Sequence, residues 1–185
     1  IGFSLKRHID VFNIIAFSAF LITVYNPFLI TDVGFQLSYL AVIGIIYLQP
    51  KIYKWFYVKN YILDKLWAIT AVSIAAQIST FPLIILYFHQ FPNYSLLSNI
   101  VVIPAATIIL YGGIIMFVFS WNAFLLSIIG KFLSAVIFGL NEALRFIEDF
   151  PNAITSNLYI NLFQALVLFL LIVLFVFALE KRNKI

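Results

Sequence analysis

Residues Leu66 to Phe88 read LWAITAVSIAAQISTFPLIILYF, an unbroken run without a formally charged side chain. Coiled as an α-helix, such a run is about 35 Å long, enough to cross the ~30 Å hydrocarbon core of a bilayer. Its polar residues are not scattered. Thr70, Ser73, Gln77 and Thr80 fall at i, i+3, i+7 and i+10, on one narrow helical face. Amide and hydroxyl groups facing lipid would go without partners at a large free-energy cost. This face is therefore expected to look into a helical bundle, serving either interhelical hydrogen bonds or the lining of a water or substrate path.

The composition of the whole chain agrees. Of 185 residues, 64% are apolar and only 10% charged, and the mean hydropathy is +1.10. A soluble domain carries about 25% charged residues; this chain could not cover a water-facing surface. Lipid accepts such side chains but forces the backbone to satisfy its own hydrogen bonds, which selects helices. The expected fold class is all-α, a polytopic transmembrane helical bundle. The absence of Cys excludes disulfides, thiolate nucleophiles and Cys-based zinc sites. The chain opens at Ile1 without an initiator Met or a signal-peptide cleavage site, and is expected to be a piece of a longer protein.

Working outward from the quoted run, further spans are expected at about 11–25, 33–48, 96–119 and 158–179. Asn26-Pro27 stops the first, Thr31 or Asp32 can cap the second, and Gln49-Pro50 marks its end. Between 51 and 64 the chain changes character. Lys51, Lys54 and Lys59, with Lys65 just beyond, are interleaved with Tyr53, Trp55, Phe56, Tyr57 and Tyr61, a mixture that favours a membrane surface. The positive-inside rule places this segment in the cytoplasm and the loop His89–Tyr94 outside.

The stretch 123–149 admits two arrangements. Ser127, Lys131, Ser134, Asn141, Arg145 and Glu148 share one helical face, which suits an amphipathic helix lying in the interface, yet the first two-thirds are apolar enough to span. If it spans, the basic tail Lys181–Lys184 lies inside; if it lies flat, the tail emerges outside. Phe91-Pro92-Asn93 and Phe150-Pro151-Asn152 echo each other, which reads as shared loop chemistry.

Chemistry-bearing motifs are mostly missing. His8 and His89 are the histidines, and no HExxH, phosphate-binding Gly-rich loop or GxSxG occurs. No catalytic residue, metal or cofactor is expected in this segment, and it is not expected to be an enzyme. Pro82 and Pro104 remove backbone bonds inside successive spans, as tolerated kinks or as the discontinuities where transporters build sites. Ala105, Ala106, Gly112 and Gly113 would allow a close helix approach. Asp32, beside Gly34, reads as an N-cap.

Two stretches go beyond hydrophobicity: Asn26-Pro27 with Asp32-Val33-Gly34-Phe35-Gln36-Leu37-Ser38-Tyr39-Leu40-Ala41-Val42, and Ala76-Gln77-Ile78-Ser79-Thr80-Phe81-Pro82 with His89-Gln90-Phe91-Pro92. Together with Ser98-Asn99-Ile100-Val101-Val102-Ile103-Pro104, they resemble the competence domain of the ComEC family of DNA internalisation proteins. The resemblance implies that residues 1–185 form part of one multi-pass domain in the bacterial inner membrane. That domain would pass single-stranded DNA into the cytoplasm during natural transformation, with a DNA receptor and a cytoplasmic helicase as partners and a homo-oligomer as an option. It also implies an amphipathic helix, matching 123–149. A nuclease domain in the remainder of the full chain is a further family feature.

A DNA path needs polar groups, cations near phosphates and aromatic platforms. The candidates are Gln36, Gln77, Thr80, Asn99, Lys131 and Arg145; Asp32, Gly34, Pro82 and Pro104 are structural candidates. With so few cations in the spans, a second copy or the missing domains would have to complete the path. A small-solute or lipid-linked-sugar transporter would use the same broken helices and polar stripe, and a structural membrane subunit would use the polar faces for assembly alone.

Overall fold

The computed structural model describes residues 10–182; His8 and the end of the basic tail, Asn183 and Lys184, lie outside the described residues. The order of elements is α1 (Val11–Tyr25), a 3-10 turn (Pro27–Thr31), α2 (Val33–Tyr53), α3 (Tyr61–Phe88), β1 (Phe91–Pro92), α4 (Ser95–Val118), α5 (Ala123–Glu148), β2 (Ile154–Thr155) and α6 (Leu162–Arg182). The described residues are all-α apart from this pair of two-residue strands. Four helices, α2 to α5, are long and apolar enough to cross a membrane, and α1 and α6 contribute shorter apolar stretches. Two compact units are distinguished, Ile1–Ile52 with Ala75–His89 and Tyr159–Ile185, and Tyr53–Ile74 with Gln90–Leu158. The division falls within the continuous helix α3.

In the first unit the helix ends follow from capping chemistry. Asp10 Oδ1 accepts from the N–H of Phe12 at 3.0 Å and opens α1. Asn26 Oδ1 accepts from Phe28 N–H at 3.1 Å and converts the end of α1 into the 3-10 turn. Asp32 Oδ1 accepts from Phe35 N–H at 2.8 Å and starts α2. Gly34 has a packing role there, since a Cβ at this position would sit 3.1 Å from that same carboxylate oxygen. Ser18 and Tyr39 hydroxyls share a 2.9 Å hydrogen bond that joins α1 to α2. Gly44 of α2 lies close against Ser79 of α3: a Cβ on Gly44 would fall 1.9 Å from Ser79 Oγ.

Four helix boundaries differ from the expected ones: α6 runs from Leu162 to Arg182 instead of 158–179, with Asn161 Oδ1 accepting from Gln164 N–H at 2.9 Å at its start, and the end of α2 and the start of α3 shift for local reasons. α2 does not stop at Gln49-Pro50 but continues to Tyr53 with Pro50 inside it. A proline near a helix end forfeits one backbone bond, and here the extra turn places Ile52 at 3% exposure. The terminal carbonyl of Tyr53 accepts from Trp67 Nε1–H at 2.9 Å. α3 starts at Tyr61 rather than near Leu66, because Asn60 Oδ1 accepts from Ile62 N–H at 2.9 Å and caps it. The irregular chain between these helices is thus shorter than the 51–64 segment. Neither Pro82 nor Pro104 interrupts its helix: α3 and α4 run continuously through them.

The second unit is built on a hairpin of α4 and α5. The turn between them ends at Asn122, whose Oδ1 accepts from Phe124 and Leu125 N–H at 3.1 and 3.2 Å. Gly112 admits Leu133, whose Cδ2 lies 2.5 Å from where a Cβ would be, and Gly130 lies over Met116. Gly113, by contrast, faces open space. At the far end of the hairpin the two Phe-Pro-Asn loops meet, β1 pairing antiparallel with β2 in the register Phe91↔Thr155 and Pro92↔Ile154. Asn93 N–H donates to Ala153 O at 3.0 Å, and Asn93 Nδ2 donates to Asn152 O at 2.7 Å and Thr155 Oγ1 at 2.8 Å. Tyr94 Oη donates to Pro151 O at 3.1 Å, and its ring meets Phe150 edge-on at 5.5 Å. The echo in sequence is therefore a clasp: two loops with like chemistry pairing with each other. Because this clasp binds the start of α4 to the end of α5, α5 runs back antiparallel along α4.

Two stability predictions follow from this geometry. Gly44→Ala should lower the stability of the detergent-solubilised protein by about 1–3 kcal/mol, the usual cost of overpacking, whereas Gly113→Ala should leave its melting temperature unchanged or slightly raised. Asn93→Ala removes the Asn93 side-chain bonds to Asn152 O and Thr155 Oγ1 and should cost about 1–3 kcal/mol, read as faster proteolysis across 150–158.

Candidate functional site

The polar groups carried by the apolar helices fall into three places. The first is the face of α3. Ser73 and Thr80 are buried at 2% and 7% exposure, and Thr70 and Gln77 are half-buried. The threonine hydroxyls donate within their own helix, Thr70 Oγ1 to Leu66 O at 2.9 Å and Thr80 Oγ1 to Ala76 O at 2.8 Å. Their hydrogen-bonding needs are therefore met locally, which neither of the readings of this stripe required. Ser73 Oγ, in contrast, is buried with no hydrogen-bond partner among the described residues.

The second place is a groove in the first unit, lined by Gln36, Tyr39, Leu40 and Ile43 of α2, Leu83 of α3 and Phe169 of α6, with a volume of about 410 Å³. Gln36 stands at its end with both halves of its amide engaged: Nε2 donates to Ile30 O at 2.9 Å, and Oε1 accepts from Tyr87 Oη at 3.0 Å. Tyr39 is held by Ser18 and stacks on Phe35 at 4.4 Å. The sequence singled out Gln36 but not its partners, since Tyr87 lies 51 positions away and Ile30, six positions away, contributes only its backbone carbonyl. Asp32 and Gly34 serve this place indirectly, by setting where α2 begins.

The third place is α5, in the second unit. Leu133 and Ile147 are buried, at 7% each; being fourteen residues apart, they share a face at about 100° per residue. Ser127, Lys131, Ser134, Asn141, Arg145 and Glu148 are all exposed. Arg145 Nη1 pairs with Glu142 Oε1 at 3.1 Å, with side chains 73% and 51% exposed. Lys131 and Arg145 thus lie on one stripe turned away from the Leu133 face that packs on α4. Asn99, in the second turn of α4, is half-buried, while Pro104 is exposed and Pro82 fully buried.

The candidates therefore do not converge. Gln36, Gln77 and Thr80 belong to the first unit; Asn99, Lys131 and Arg145 belong to the second. Sequence reading also passed over His89. It closes α3 in the left-handed conformation at φ 54°, a position glycine usually takes. Its ring lies 4.9 Å from that of Tyr159, and its Nδ1 is buried without a partner. No group of three or more His, Cys, Asp or Glu is placed to hold a metal ion among the described residues.

Comparison with known proteins places this architecture. The chain is similar to ComE operon protein 3 of Bacillus subtilis (strain 168), with 26% identity over 135 residues, covering 66% of this chain and 16% of the relative. It thus spans about a sixth of the length of that curated relative. No solved structure matches. A family model matches residues 1–182, nearly the whole of this bundle of apolar helices, and the chain belongs to the family described as Competence protein.

Proposed function

We propose that this chain is the membrane part of a machine that passes single-stranded DNA across the bacterial inner membrane during natural transformation. The observation that carries the reading is the polar stripe of α5. A helix long and apolar enough to span packs on α4 through Leu133 and leaves Lys131 and Arg145 exposed. Charged side chains within a span are expensive against lipid and mark a pathway or a protein partner. The stripe therefore faces a polar passage that a second copy or the rest of the full-length protein completes. Family membership supplies the cargo: a polyanion that Lys131 would meet as a point charge and Arg145 through paired hydrogen bonds. Glu142 beside Arg145 moderates that attraction, which suits a strand that must leave as well as enter.

The clasp supports a topology for this passage. With the lysines of 51–65 in the cytoplasm, α3 leads outward and α4 inward. The antiparallel return of α5 puts Glu148, Asp149 and the clasp outside. On this reading α5 spans and α6 leads back toward the cytoplasm, which meets the charge rule at both basic segments.

Two tests apply. Deleting the parent gene in a naturally transformable host should abolish transformation while DNA remains bound at the surface; undiminished transformation refutes the reading. In the full-length protein, Lys131→Ala and Arg145→Ala should each lower uptake of labelled DNA about tenfold, equivalent to ~1.4 kcal/mol, at unchanged protein level. Gln36→Ala, Gln77→Ala and Asn99→Ala should lower uptake less, and loss of the protein itself in those variants assigns them to structure. For topology, Glu148→Cys should react with a membrane-impermeant maleimide from outside the cell and Lys59→Cys should not, a test made simple by the lack of cysteine in this segment.

A further inference from the structure

The turn from Lys54 to Asn60 is irregular but tightly fixed. At its root Tyr53 Oη donates to the carboxylate of Asp64, and Trp67 Nε1 donates to Tyr53 O at 2.9 Å. The ring of Phe56 meets Trp67 edge-on at 5.0 Å and 87°, and Asn60 caps the next helix. These four contacts hold the backbone so that its tips are turned outward. Trp55 is 60% exposed, Tyr57 90% and Tyr61 70%, and Lys54, Lys59 and Lys65 are exposed as well. Lys65 Nζ stands 4.5 Å over the Tyr61 ring. The sole carboxylate between Tyr53 and Trp67 is Asp64, and it is engaged at the root by Tyr53. None of these three lysines forms an ion pair among the described residues.

The geometry points to a binding site for the phosphate of an anionic phospholipid headgroup, formed by Lys54, Lys59 and Lys65, with Trp55 and Tyr57 seated at the carbonyl level beside it. The turn joins two helices long and apolar enough to span, which puts it at headgroup depth on the side that the charge rule makes cytoplasmic. Lysines near an anionic leaflet are drawn to it, and their long stems let the ammonium reach headgroups while the methylenes stay in apolar surroundings. Exposed indole and phenol rings are stable at that depth, where the ring is half in lipid and its polar edge is wet. A nucleic-acid strand would also answer to the lysines. It fits less well, because no arginine is present in the stretch to grip a phosphate in bidentate fashion. The site's role is anchorage: it fixes the depth and rotation of α3, the helix that carries the most buried polar face.

The test uses the full-length protein in neutral detergent, titrated with short-chain phosphatidylglycerol or phosphatidylcholine, with bound lipid counted by native mass spectrometry. The wild-type protein should retain phosphatidylglycerol preferentially. That preference should fall about fivefold for each lysine changed to Gln, persist in the Lys54→Arg/Lys59→Arg/Lys65→Arg variant, and weaken with added salt. Lys59→Gln alone, at an exposed site outside any helix, gives the same reading if the triple variant fails to fold. An unchanged lipid preference in the Gln variants overturns the proposal. So does an intact preference accompanied by loss of binding to a single-stranded oligonucleotide, which would assign the lysines to nucleic acid.

Discussion

The constraint on which this structure rests is that a backbone in hydrocarbon must bond to itself. Every peptide group that cannot do so must lie at a membrane surface or against protein. That requirement turns the apolar runs into helices and pushes irregular chain to their ends. It also makes each connection a place where side chains must satisfy freed backbone groups. Asp10, Asn26, Asp32, Asn60 and Asn122 do this work at helix starts, and Trp67 does it for the terminal carbonyl of α2. The capping residues are short because a side-chain oxygen close to the backbone can reach back to an N–H two or three positions on. The same constraint explains the clasp. Two loops that both contain a proline, and so both lack a donor, complete their bonding through Asn93, Thr155 and the Tyr94 hydroxyl.

Packing between these helices follows a second rule. Lipid tails are as apolar as leucine, so helices gain little from hydrophobic burial and associate through close contact and polar bonds. Close contact appears where Gly44 meets Ser79 and where Gly112 meets Leu133, both at distances no side chain could enter. Polar bonds appear in Ser18 with Tyr39 and in Gln36 with Tyr87. Gln36 shows the tension between the two uses of a membrane amide. Its donor and acceptor both have partners, so contact with a passing strand would require exchange of an existing bond. Lys131, exposed on α5, has no side-chain bond among the described residues.

Much of the architecture was legible in sequence because the relevant signals are local. The spans announce themselves as uncharged runs, Asp32 announces a cap, and the shared face of Ser127, Lys131 and Arg145 follows from helical periodicity alone. The misplaced boundaries arose where a local signal was weighed without its tertiary answer. Pro50 reads as a stop, but Ile52 beyond it is buried, and burial of one further turn outweighs one forfeited bond. Lys65 and Asp64 read as surface, but Asn60 upstream starts the helix, so charged residues occupy its first turns. Gly113 and Gly112 are indistinguishable in sequence, and only the facing Leu133 separates them. The pairing of the two Phe-Pro-Asn loops across about sixty residues was visible as an echo but not as a contact, since a repeated motif does not state what it touches.

The clasp also bears on how a stripe with charges in it can be tolerated at all. A lone amphipathic helix would settle in the interface with its polar side to water, and the composition of α5 would permit that. Tied at both ends, by the Asn122 turn and by the β1–β2 pair, α5 follows α4 in direction. Leu133 seated on Gly112 then fixes its rotation, which in turn decides where Lys131 and Arg145 point. The orientation of the charged face is therefore set by contacts on the opposite face and at the ends, not by the solvent the charges would choose. A helix held in this way presents cations to whatever completes the wall beside it.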